Sequence, residues 1–195
     1  GCVMGSKNLK AVAARGTLDI KIARPAEALE YNKRFIDQIT SAKVNQTQGT
    51  LGTPFIWGAT NSWGGLRTRN FQYNQCEYAD DIEPERLDEI ATETIGPYHM
   101  TGCFGCQVHC RAQYKIPSGP YAGKYDEGPE YTSQGAFGAL PDCTNAVTVL
   151  TGNHLVNQYG VDNLEIGSII AWAMELREKG ILTDKQTDGL DLRFG

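Results

Sequence analysis

No apolar run in the 195-residue chain approaches the roughly 18–20 residues that a bilayer-spanning helix needs. No apolar core of a signal peptide stands at the N-terminus either. The opening Gly1-Cys2-Val3-Met4-Gly5-Ser6-Lys7 lacks an initiator Met and reads as the interior of a motif. A basic excess is missing: 18 Lys and Arg face 23 Asp and Glu, for a net charge of −5 and a pI of about 5.2. A nucleic-acid binder usually carries a basic face, and Arg67, Arg69 and Arg86 are too scattered to build one. Internal repeats and low-complexity segments are also lacking. What remains is an ordinary globular composition, 41% hydrophobic and 21% charged. Neither a membrane nor a nucleic acid is expected as a partner.

Cysteine is unevenly spent. Cys2, Cys76 and Cys143 stand alone, while Cys103, Cys106 and Cys110 fall within eight residues. Three Cys so close cannot all pair with one another, and disulfide frameworks belong mainly to small secreted chains. The cluster therefore reads as metal binding in a reducing compartment, and the expected location is the cytoplasm.

The element pattern is mostly helical. Residues 8–15 alternate in part and suggest an edge strand. Pro25 opens a helix to about Ala42, with Leu29, Phe35, Ile36 and Ile39 on one stripe. Residues 45–54, rich in Gln, Thr and Gly, read as a loop. A short helix is expected over Pro54–Ser62, ended by Gly64-Gly65. Another runs from Pro84 to the Gly96-Pro97 stop. Residues 117–129, rich in Pro and Gly, form a connection. Helices follow over about 130–140 and 144–158, then Leu164 to Lys179, closed by Gly180. That last helix is apolar nearly all round, which predicts a central place in the core.

The C-x2-C-x3-C spacing lets three thiolates converge on one centre, and Gly102 and Gly105 allow the backbone to wrap closely. Iron–sulfur clusters take Cys thiolates, usually four. A structural zinc site would instead combine these three Cys with His99 or His109. Buried free cysteines are the third reading, and spacing alone leaves all three open.

The surrounding motifs resemble those of the aldehyde:ferredoxin oxidoreductase family, tungsten or molybdenum bis-pterin enzymes. Val3-Met4-Gly5-Ser6-Lys7-Asn8-Leu9-Lys10-Ala11 looks like the end of the family's N-terminal pterin-binding β domain. Cys103–Cys110 matches its first three cluster ligands, and Glu127-Gly128-Pro129-Glu130-Tyr131 its E-G-P-E-Y motif. Asn157-Gln158-Tyr159-Gly160-Val161-Asp162 sits where the family has D-x-x-G-L-D, with Asn at the first position. The resemblance implies a mainly α fold, with residues 1–18 a short β tail of a preceding domain and 19–195 the helical domain carrying the cluster motif. It implies a longer parent whose fourth cluster Cys lies further towards the C-terminus.

It also implies cofactors, a [4Fe–4S] cluster and a tungsten or molybdenum bis-pterin, and partners, namely ferredoxin or an electron-transfer subunit in an oligomeric enzyme. Glu127 and Glu130 are the expected catalytic carboxylates, against the plainer role of helix capping. Lys7, Arg69, Asn70, Asn157, Gly160 and Asp162 are the expected pterin contacts. Cys143, downstream of E-G-P-E-Y, is a candidate tungsten ligand. Three functions follow as alternatives: aldehyde oxidation, for which Thr132 stands where a Glu is frequent; reduction of an aromatic acyl-CoA of the benzoyl-CoA type; or a zinc-stapled helical interaction module.

Overall fold

The computed structural model describes residues 1–195. Eight α-helices and one small sheet make up a mainly α fold. Helix α1 is Cys2–Ser6, α2 Pro25–Ser41, α3 Lys43–Leu51, α4 Trp57–Ser62 and α5 Pro84–Ile95. After the sheet come α6 (Tyr131–Gln134), α7 (Ala146–Tyr159) and α8 (Asn163–Glu178). Strands β1 (Met100–Thr101), β2 (Arg111–Lys115) and β3 (Tyr125–Glu127) form an antiparallel sheet in that order.

The helix starts follow local chemistry. Pro occupies the first turn of α2 and α5, where its missing N–H costs nothing. Asn145 and Asp162 cap α7 and α8 by accepting the N–H of Thr148 and Glu165. Gly160 closes α7 in the left-handed conformation (φ 64°). A π-helical turn over Gly135–Ala139 follows α6. Its final carbonyls are met from outside the helix: the backbone N–H groups of Arg69 and Asn70 donate to Ala139 and Leu140 at 3.1 and 3.0 Å.

The core lies between α5, β2, α7 and the π turn. Trp57, Ile82, Leu87, Ile90, Tyr114, Ile116, Val149 and Leu150 are all buried there. Trp57 Nε1 donates to Ala79 O and Tyr114 Oη to Leu150 O, so both large polar aromatics are satisfied.

Three expectations are corrected. The edge strand over 8–15 does not form: residues 9–17 have no regular structure and are exposed, since no neighbouring strand offers them a ladder. The loop expected over 45–54 is mostly α3. Its Thr47 and Thr50 hydroxyls bond back to the carbonyls of Lys43 and Gln46, and its small residues suit tertiary contact better than their propensity suggests. Helix α8 is not central. Only Gly167 and Ala171 are buried, while Ile169 and Trp172 are more than half exposed. The helix docks through its small residues: a Cβ on Gly167 would meet Ala136 O at 2.5 Å.

Candidate cofactor site

The cysteine loop hangs between β1 and β2. Cys106 N–H donates to Cys103 O at 2.9 Å, Gly105 and His109 turn the chain with φ of 74° and 55°, and Val108 N–H donates to Cys106 Sγ at 3.4 Å. Helix α3 backs the loop closely enough that a Cβ on Gly49 would meet Val108 O at 2.7 Å. Cys103 is exposed, Cys106 and Cys110 half-buried, and none of the six Cys is in a disulfide. No three Cys, His, Asp or Glu side chains gather around a common point. The loop is a donor set with turn geometry and an N–H···S contact, short of an assembled cage. Burial, and then the charge of Glu130, push the Cys110 thiol above its ordinary pKa.

His99 and His109 part company. His99 is buried, with Nδ1 at 3.0 Å from Gly96 O and Nε2 at 3.0 Å from Asp88. Both nitrogens are taken, so it clamps the end of α5. Gly102 lies against the His109 ring.

The two Glu of E-G-P-E-Y have different surroundings. Glu130 occupies the N-cap of α6, yet its side chain makes no cap bond. Instead it accepts from Thr53 Oγ1, which in turn accepts the Tyr131 N–H at 2.8 Å. Glu127 pairs with Arg111, the residue after Cys110, at 2.9 Å. Arg111 Nε is buried and without a partner.

Arg69 and Asn70 are engaged with carboxylates of this chain. Arg69 pairs with Asp142 (3.1 Å) and Glu178 (2.7 Å), and its guanidinium lies over Phe194. Asn70 Nδ2 donates to Glu175. These bonds hold the left-handed run Arg69-Asn70-Phe71 (φ 48°, 49° and 68°), a costly backbone for non-glycine residues. Asp142 also fixes the approach to half-buried Cys143, whose N–H donates to Gly138 O at 2.8 Å.

The segment following α7 meets the N-terminus. Cys2 N–H donates to Gly160 O at 3.3 Å, and a Cβ on either Gly1 or Gly160 would come within 2.7 Å of the other glycine's backbone. Cys2, Gly160, Asp162, Leu164 and Ile169 line a shared cleft. Lys7, just beyond α1, is exposed. So α1 and the 157–162 segment, far apart in sequence, are neighbours in space.

Sequence reasoning missed the buried polar centre behind these pieces. Asp126 accepts from His154 Nδ1 (2.7 Å), Asn157 Nδ2 (2.9 Å) and the Glu127 N–H (2.8 Å). Asn153 Nδ2 donates to Glu127 O and Tyr114 Oη, and Asn153 Oδ1 accepts from Ser133. A His and an Asn three apart on one helix face was the available signal.

The family described as aldehyde ferredoxin oxidoreductase, domains 2 and 3, matches residues 30–195. The chain belongs to this family. Tungsten-containing aldehyde ferredoxin oxidoreductases of Pyrococcus abyssi and Thermococcus kodakarensis are each 32% identical to it over 100% of the chain and 31% of the relative. A Pyrococcus furiosus relative named aliphatic sulfonate oxidoreductase, WOR-like subunit, is 30% identical over 100% of the chain and 30% of its own length. The chain thus spans under a third of the length of these curated relatives. The family is one of oxidoreductases, and no helix of the chain is long and apolar enough to cross a membrane.

Proposed function

We propose that this chain is the cluster-bearing helical part of a tungsten or molybdenum bis-pterin, [4Fe–4S] oxidoreductase. It oxidises an aldehyde to a carboxylic acid and passes the electrons to ferredoxin or an electron-transfer subunit. The observation that carries this reading is the meeting of α1 with the Gly160–Asp162 segment beside the Asp126 centre, because both segments resemble pterin-contacting parts of the family. The donors fit the groups. Cys103, Cys106 and Cys110 supply three soft thiolates on a tight turn. Val108 N–H and the unpartnered Arg111 Nε supply N–H groups of the kind that stabilise a sulfur-rich anion. The fourth thiolate comes from outside this loop.

When bound, the pterin-held metal supplies the redox chemistry: the aldehyde gains a water oxygen and loses protons and an electron pair. The chain's own residues position and move protons. Glu130, held by Thr53 and facing the cysteine loop, is the proton acceptor, and Glu127, tethered by Arg111, is the second carboxylate. Gly160 and Asp162, which line the shared cleft, would hold the cofactor together with Lys7 and Asn157 near it in sequence. Arg69 and Asn70 serve it by bracing the turn that carries Cys143, the candidate metal ligand.

The test is metal content and turnover of the whole polypeptide that carries these residues, produced anaerobically with tungstate or molybdate. Tungsten or molybdenum together with iron, and aldehyde-dependent reduction of a viologen dye, are expected. Zinc alone would sink the reading in favour of a stapled helical module. Turnover of benzoyl-CoA without aldehydes would move it to the aromatic acyl-CoA branch. Glu130→Gln should lower kcat by about 10²–10⁴ and leave iron content unchanged.

A further inference from the structure

Asp126 is the one carboxylate that touches both segments assigned above to the reaction. Its Oδ1 accepts from the Glu127 backbone N–H at 2.8 Å and from Asn157 Nδ2 at 2.9 Å, and its Oδ2 accepts from His154 Nδ1 at 2.7 Å. The Asp126 and His154 side chains are only 10% and 8% exposed, so water cannot replace the bond between them cheaply, whereas Asn157 reaches Asp126 from the exposed side of α7. Asn153, on the same helix, takes the Glu127 carbonyl at 2.9 Å. Glu127 is therefore gripped at both its N–H and its C=O from α7 and its own strand. Its carboxylate reaches Arg111 at the exit of the cysteine loop. A continuous line of polar contacts runs Arg111, Glu127, Asp126, Asn157, from the cysteine loop to the cofactor-side turn.

The identity of residue 157 follows from the same geometry. An Asp there would set a second carboxylate 2.9 Å from Asp126 Oδ1, with no donor between them. Asn presents an N–H instead.

We propose that Asp126 is a positioning residue that acts through Glu127 and Asn157, with His154 orienting it, and that the amide at 157 is the complement its carboxylate requires. The proposal rests on the assignment of Glu127 and the 157–162 segment to the redox site. Asp126→Ala removes the acceptor and Asn157→Asp sets two carboxylates face to face, while in the double variant Asp126→Ala/Asn157→Asp no carboxylate is left at 126 to repel the one at 157.

In the whole metal-loaded polypeptide, each single variant should lower kcat for an aldehyde by about tenfold to a hundredfold, the range expected when a reacting group is misplaced by about an ångström. KM and iron content should stay near wild type, and the double variant should lose no more kcat than Asp126→Ala alone. Single variants with wild-type kcat, or a double variant whose loss equals the product of the singles, would overturn the proposal. A purely structural role would lower the melting temperature and leave kcat unchanged. A second readout is independent of turnover: amide exchange at Glu127 should quicken in Asp126→Ala, which removes the acceptor of its N–H. A wild-type protein that holds no tungsten or molybdenum would defeat the assigned function. Unchanged Glu127 exchange in Asp126→Ala would defeat the positioning role itself.

Discussion

At the scale of single residues, the centre of the molecule depends on satisfied polar atoms more than on extra apolar area. Tyr114 is 1% exposed, donates to Leu150 O and accepts from Asn153. Burial, only partly offset by the Asn153 hydrogen bond, pushes its phenol well above its ordinary pKa, so it stays a neutral donor throughout the physiological range. Tyr114→Phe removes the extra bond to the Leu150 carbonyl and leaves one buried Asn153 N–H without a partner, and should cost about 1–3 kcal/mol in a denaturant titration. The cysteines differ in the same terms. With metal removed, iodoacetamide near pH 8 should label exposed Cys103 ahead of Cys110. A raised thiol pKa leaves less thiolate at that pH, and partial burial hinders attack. Equal labelling rates, followed by peptide mass spectrometry, would contradict that order.

At the scale of elements, α8 shows how a helix can be anchored with little of its apolar surface buried. Gly167 lets it lie on the π turn, and Glu175 and Glu178 reach back to Asn70 and Arg69. Gly167→Val should overpack that contact and destabilise by about 1–3 kcal/mol, read as a lowered melting temperature. The Glu175 carboxyl is held below its ordinary pKa by the Lys179 hydrogen bond first and the Asn70 bond second. A depressed folded-state pKa contributes stability above the unfolded value, near 4.3, and loses it as pH falls through the folded value. The melting temperature of Glu175→Gln should therefore lie below wild type at pH 7, and the gap should close below pH of about 4.

The same elements explain what the amino-acid sequence made legible. Helices α2, α5, α7 and α8 announce themselves through Pro, Asn or Asp starts, and α5, α7 and α8 also through Gly stops, which are local signals. The cysteine loop and the E-G-P-E-Y segment are local too. Strands β1 and β3 are two and three residues long, too short to show a period. Arg69 meeting Glu178, and Asp126 meeting His154, join residues 109 and 28 positions apart, and no spacing rule foretells either pair. The all-round apolar pattern of α8 suggested burial because pattern cannot tell which faces find a partner within the chain.

At the scale of the whole molecule, the cysteine loop is fastened to the body at its two ends and along α3. The body itself, α5 with β2, β3 and α7, is knit by the Asp126 and Tyr114 contacts and does not depend on the loop. Metal at Cys103, Cys106 and Cys110 should then govern the order of the loop and leave the body alone, unlike a small zinc domain whose whole fold collapses without its ion. Phe104, fully exposed at the tip, and Tyr114, buried in β2, report on the two parts separately under chymotrypsin. Stripping iron from the whole polypeptide with a chelator should speed cleavage after Phe104 while Tyr114 stays uncut, since cleavage needs several residues on each side to detach from the fold. Cleavage at both sites together would mean that the metal holds the body as well, and cleavage unchanged at Phe104 would mean that these three thiols hold no metal. The protected state therefore tests the ligand assignment without any turnover, and the metal released into the chelator names the ion.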